Sequence, residues 1–119
     1  MSVFFVMSSS VFALKPTAAE TKFASKSDFA SAIVGKHIQS TTKKGKVVTV
    51  TYKSGGIGDV QIEGDKLSKT TWTFNGTTVC LTVPDWSFTE CNNVELVDAN
   101  TANFFDAKTG KLSNTYSIK

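Results

Sequence analysis

Thr70-Thr71-Trp72-Thr73-Phe74-Asn75-Gly76-Thr77-Thr78-Val79-Cys80-Leu81-Thr82-Val83 carries the clearest structural signal in the chain. Polar and apolar residues alternate on both sides of Asn75-Gly76, and Asn-Gly between alternating runs marks a type I′ β-hairpin. Pairing residue 74 with residue 77 puts Trp72 opposite Val79, with Phe74 and Leu81 on the same face, which is a seam for a core. The second strand runs into Pro84-Asp85-Trp86-Ser87, a turn in which Pro presets the backbone. The chain then returns as Phe88-Thr89-Glu90-Cys91. If 83 pairs with 88, the antiparallel register sets Cys80 directly opposite Cys91, near enough for a disulfide.

The two cysteines are the only ones in the 119 residues. Their spacing is not the Cys-x-x-Cys of a redox pair. A zinc site needs four ligands, and the single histidine, His37, is remote in sequence. In an exported chain the pair reads as a structural disulfide, contributing about 2–3 kcal/mol in the chain-entropy view.

Outward from this hairpin the pattern stays β-rich. Lys46 to Tyr52 is one strand, Ser54-Gly55-Gly56 a turn, and Ile57 to Glu63 another strand in which Val60 and Ile62 alternate. Gly64-Asp65 is a break, and Val94 to Val97 continues the strand after Cys91. Phe104-Phe105 and Leu112 to Ile118 form a last hairpin around Asp106 to Gly110. Upstream, Asp28 to Val34 reads as a short helix, capped by Ser27 or Asp28, with Phe29 and Ile33 on one face and Gly35 as its stop. The expected architecture is mainly β: a small antiparallel barrel, a calycin- or lipocalin-like meander of seven or eight strands, with one short N-terminal helix.

The first residues, Met1 to Leu14, are uncharged and mostly apolar, and Thr17-Ala18-Ala19 ends in small residues as a signal-peptidase site requires. Residues 1–19 are expected to be a signal peptide, 20–26 a linker, and 27–119 one barrel domain in the periplasm or outside the cell, with no transmembrane helix once the signal is removed. No Lys or Arg precedes Val3, a departure from the usual signal.

Composition narrows the function. All thirteen basic residues are Lys, and the formal net charge is +3. Planar two-pronged grips on phosphate rely on Arg, and only Lys43, Lys44 and Lys46 cluster, so no nucleic-acid role is expected. No catalytic residues and no metal or cofactor site emerge. His37 has no partner nameable from sequence. The carboxylate pairs Asp85 with Glu90 and Glu63 with Asp65 fall in expected turns, where Asp serves the backbone. Asp106 to Gly110 is too short for a calcium loop. Asn75-Gly76-Thr77 is a glycosylation sequon that coincides with the hairpin turn. Trp86 stands out as a large aromatic in a turn, either folded over the barrel mouth or offered to a partner. The candidate binding surface is therefore Trp86, Asp85 and Phe88.

The succession of Asp28 to Val34, Gly35-Lys36, Gly55-Gly56, Trp72, Cys80 and Cys91 resembles a group of small periplasmic proteins of Gram-negative bacteria often described as lipocalin-like. The resemblance covers roughly residues 27–106 and departs at Thr71, where that group commonly has Gly. It implies an envelope location and a small barrel, and brings no catalytic residues. The expected function is a non-catalytic envelope protein that binds or inhibits another macromolecule. The alternative is a carrier of a small apolar ligand, for which large inward aromatics such as Trp72, Phe74 and Phe104 leave little room.

Overall fold

The computed structural model describes residues 21–119, so the expected signal segment lies outside the described residues. The described part begins with helix α1 (Lys26–Ala32). Eight strands follow: β1 (His37–Thr41), β2 (Val47–Lys53), β3 (Ile57–Ile62), β4 (Ser68–Asn75), β5 (Thr78–Val83), β6 (Phe88–Asp98), β7 (Thr101–Asp106) and β8 (Leu112–Ile118). Each pairs antiparallel with the next, and β8 returns to β1 through Ile38↔Ile118 and Gln39↔Ser117, closing the barrel. Closure removes both sheet edges. The expected fold class holds.

Alternation along the strands sorts the side chains. Val79, Leu81 and Val83 of β5 are buried, as are Val50 and Tyr52 of β2 and Ala102 and Phe104 of β7. The residues between them form the outer wall. Cys80 and Cys91 lie on that wall, paired Cα to Cα at 4.0 Å and joined as a disulfide. The register Val83↔Phe88 that predicts this bridge is the one observed.

The neighbouring hairpin differs from expectation. Trp72 faces Leu81 rather than Val79, Phe74 faces Val79, and Asn75 still pairs with Thr78. The turn is therefore Gly76-Thr77, with Gly76 at φ 69° and Thr77 at negative φ, the sign pattern of a type II′ turn. The hydroxyls of Thr77 and Thr78 both donate to Asn93 Oδ1, at 2.9 and 3.0 Å, and tie this register to β6. A shift of two residues keeps every side chain on its expected face.

The helix start also moves. Ser25, not Ser27 or Asp28, is the cap: the Asp28 N–H donates to Ser25 Oγ, and the Ser25 N–H donates to Asp28 Oδ2, both at 3.2 Å. That reciprocal pair needs a three-residue spacing, which Ser25 and Asp28 have. Gly35, at φ 88°, turns the chain into β1. The segment expected to be a linker is docked on the barrel: Ala24 is buried and its N–H donates to Val94 O at 2.7 Å, and Phe23 packs on Phe105 with ring centroids 5.8 Å apart.

The bridge staples the β5–β6 hairpin at the fourth pair from its turn, beyond Val83↔Phe88, Thr82↔Thr89 and Leu81↔Glu90, while the barrel is closed by backbone hydrogen bonds that do not need it. Cys80→Ala/Cys91→Ala is expected to keep the fold and lose about 2–3 kcal/mol of stability. Urea unfolding with and without reductant measures this. Wild-type protein under reductant should match the double variant, and a midpoint insensitive to reductant would contradict the account.

Candidate functional site

The two ends of the barrel are built differently. The turns at 54–56, 76–77 and 99–100 share one end with α1. There Phe29 is fully buried, with its ring edge-on to Tyr52 at 5.1 Å and against Trp72 and Phe74 at 5.7 and 5.1 Å. The Trp72 indole N–H is shared between Lys53 O and Ile57 O, both at 2.9 Å, which fixes the ring across the β2–β3 turn. Burial pushes the Tyr52 hydroxyl well above its ordinary pKa. This end is filled, as its inward aromatics predict.

The opposite end, reached by the turns at 42–46, 63–67, 84–87 and 107–111, is open. A well of about 220 Å³ enters the barrel here. Its walls are Val48, Val50, Val60, Ile62, Leu81 and Val83, all inward residues of β2, β3 and β5. Two aromatics of the sequence-predicted surface stand at its rim. Trp86 closes the 3₁₀ turn Pro84–Trp86, which Ser87 ends in a left-handed conformation at φ 50°. Phe88 starts β6, and the two rings are 6.5 Å apart. They are 41% and 43% exposed, so each covers the well in part and still offers a face to solvent.

The third predicted residue, Asp85, faces elsewhere. It borders a broad outer groove with Gly64, Asp65, Lys66 and Ser68, and Trp86 is the ridge between groove and well. The structure thus brings Trp86 and Phe88 together and leaves Asp85 outside the mouth. Asp85 and Glu90, set aside in the sequence as an acid–base pair, line different surfaces. Glu90 is not in a turn but in β6, opposite Leu81, with its side chain in the well.

Polar groups line the floor and one flank of the well: Glu90, Tyr116, Asn114 and Ser40. Burial raises the Glu90 carboxyl above the usual carboxylate range, the Asn92 side chain opposes this by hydrogen bonding, and the charge of Asp106 adds to it. Burial, with the nearby Glu90 charge, pushes the Tyr116 hydroxyl up to about 12, against the pull of the Ser40 hydroxyl. Asn92 is itself buried and accepts from Ser113 Oγ at 2.8 Å.

A raised folded-state pKa means that the native chain holds the Glu90 proton more tightly than the unfolded chain does. The stability this confers is complete at low pH and is lost as pH rises through the folded value. Glu90→Gln is therefore expected to raise the melting temperature at pH 7 and to reduce its fall between about pH 4 and pH 7. Parallel melts of the two proteins check it, since the depressed carboxyls of Asp28 and Asp59 act equally in both. Equal slopes would show that Glu90 is not desolvated.

The remaining candidates have structural roles. His37 begins β1 at the α1 end, on the outer wall, with Nδ1 2.7 Å from Thr51 Oγ1. Glu63 Oε1 accepts from the Val47 N–H at 3.0 Å and lengthens the β2–β3 pairing. Asp106 Oδ1 accepts from the N–H groups of Lys108 and Thr109, at 2.8 and 2.9 Å, and shapes the last turn. Among the described residues, no group of three or more His, Cys, Asp or Glu side chains is placed to hold a metal ion, and no helix is long and apolar enough to cross a membrane.

Glu90, Tyr116 and Ser40 were not legible as neighbours. The alternation Phe88-x-Glu90-x-Asn92-x-Val94 puts Glu90 on the same face as buried Val94, and that was the available signal. Comparison with protein-family models, with curated proteins and with solved structures gives no match.

Proposed function

We propose that the protein is a non-catalytic binding protein whose working surface is the open mouth of the barrel, and that it holds another macromolecule by taking one side chain of it into the well. The observation that carries this is the contrast between the ends. One is sealed by Phe29, while the other leaves an apolar well beneath two half-exposed aromatics. Large aromatics at the edge of a preformed depression are the residues on which binding energy concentrates. They stand on a hairpin held by the Cys80–Cys91 bridge, so little ordering is left to be done on binding.

Size separates this from the carrier reading. Apolar cavities of about 150 Å³ hold a benzene ring, whereas sites for drug-sized ligands run to about 300–1,000 Å³. A well of about 220 Å³ suits one side chain or a molecule of a few carbons. A carrier of a very small ligand therefore stands as a second reading, on the strength of that volume. The disulfide supports an exported, oxidising setting for either.

Trp86→Ala/Phe88→Ala tests the first reading. Both residues are exposed enough that each change should alter stability by no more than about 0.5–1 kcal/mol. Partner capture from an envelope extract is expected to be lost in the double variant while its melt stays near wild type. Capture of the same partner by the double variant would remove the mouth from the account.

A further inference from the structure

Apolar walls and an aromatic rim account for most of the well, but not for Glu90. Its position opposite Leu81 turns it inward, where it is only partly exposed. A carboxylate withdrawn from water is unfavourable unless a cation or several hydrogen bonds compensate it. Asn92 supplies one hydrogen bond, while the groups whose charge couples to Glu90, namely Asp106, Tyr116 and Tyr52, bring no positive charge. The salt bridges among the described residues are Lys53–Asp59 and Lys69–Asp59, both on the outer wall, so none of the described lysines comes within 4.0 Å of Glu90. Above it, the faces of Trp86 and Phe88 are surfaces that attract a cation.

We propose that the group taken into the mouth is a cation on a short apolar stem, an alkylammonium whose charge meets Glu90 while its methylenes lie against Val48, Val60 and Leu81. This rests on the reading of the mouth as the binding surface. The source is a free amine or a lysine side chain of a partner.

Positive charge at the rim works against such a ligand. Lys43, Lys44 and Lys46 lie in or beside the β1–β2 turn, with Lys66 and Lys108 in the neighbouring turns, and all are exposed. Lys108 also shares with Glu90 a second, outer groove. At physiological salt, exposed charges are screened beyond about 8 Å, whereas a partly desolvated carboxylate in direct contact is screened far less. The nearer, buried charge decides the preference.

Three probes of matched size separate these effects: n-butylammonium, n-butanol and butyrate. Each is titrated into the full chain at about 0.15 M salt, while the NMR signals of the Trp86 indole and of the Phe88 and Glu90 amides are followed. Butylammonium is expected to bind about tenfold more tightly than butanol, with butyrate weakest. Glu90→Gln should bring butylammonium to the level of butanol and leave butanol unchanged. Gly-Lys-Gly and Gly-norleucine-Gly tripeptides then distinguish the sources. A preference for the lysine peptide supports a cation borne on a chain, and binding of the free amine alone supports a small amine. Equal binding of butanol and butylammonium, tighter binding of butyrate, or a Glu90→Gln variant that keeps the preference would overturn the cation and leave the mouth standing. Mouth signals unmoved by all three probes would overturn both.

Discussion

Phe29→Ala is expected to cost about 3–5 kcal/mol, the range for deleting a fully buried aromatic ring, and to release α1 from the barrel. The helix has seven residues, too few to persist in water without tertiary contacts. Its capping box organises the first turn, and the buried side chains Phe29 and Ile33, with Ala32 and Val34 packed beside them, hold it to the barrel end. Phe29 is also the shared neighbour of Tyr52 on β2 and of Trp72 and Phe74 on β4, so truncation leaves a cavity that three rings held on two strands cannot easily fill. Urea unfolding gives the stability, and near-ultraviolet circular dichroism reports the loss of fixed aromatic packing. Phe29→Leu should recover a large part of the loss, because it restores volume without the ring geometry. A Phe29→Ala midpoint within error of wild type would show that the end is sealed without the helix.

Gly58→Ala is the second large effect, and its sign is opposite to the general expectation. Alanine in place of glycine in a strand ordinarily favours folding, because the unfolded chain loses freedom. At Gly58 the added Cβ would stand well inside van der Waals contact with the backbone carbonyl of Thr51, and 2.9 Å from Thr70 Oγ1. The Thr70 hydroxyl is buried without a hydrogen-bond partner, so the site has no slack on that side. Gly58 pairs with Tyr52 on one flank and Thr70 on the other, and parting them would break both ladders. A loss of about 3 kcal/mol is expected, at the upper end for overpacking because the obstruction is backbone. Amide hydrogen exchange should place the lost protection in β2, β3 and β4. An unchanged or raised midpoint would mean that the strands separate there at no cost.

These changes act at or near the sealed end, whereas the mouth is expected to tolerate substitution. Its rim side chains are exposed, and its one charged lining residue, Glu90, is expected to weaken the fold at neutral pH, because burial raises its carboxyl. A group that costs stability where it sits is a candidate for function rather than for architecture.

Much of the architecture was legible. Period-two alternation from Thr70 to Val83 placed Trp72, Phe74, Val79 and Leu81 on one core-facing side, and Pro84 to Ser87 set the spacing that brings Cys80 to Cys91. The Asn75-Gly76 turn was read one residue too early, because hairpin dihedrals are set by how far the ladder extends as well as by the dipeptide. Here the anchoring of Thr77 and Thr78 by Asn93, a residue of the next strand, decides it. Trp86 and Phe88 were named in the sequence as part of a candidate surface, without a place relative to each other. Asp85 was grouped with them by adjacency, yet in the short 3₁₀ turn neighbouring side chains point to different faces.

Alternation, turn chemistry and cysteine spacing are local properties of a strand and its nearest partner, so the strands, most of their inward faces and the disulfide follow from residue order alone. Which end of the barrel is closed, why Gly58 must lack a side chain, and how Glu90 comes to lie under Trp86 and Phe88 were decided only in the tertiary structure. Those features depend on contacts between residues distant in the chain, such as Phe29 with Trp72 or Glu90 with Tyr116. Closing the barrel creates those contacts all at once.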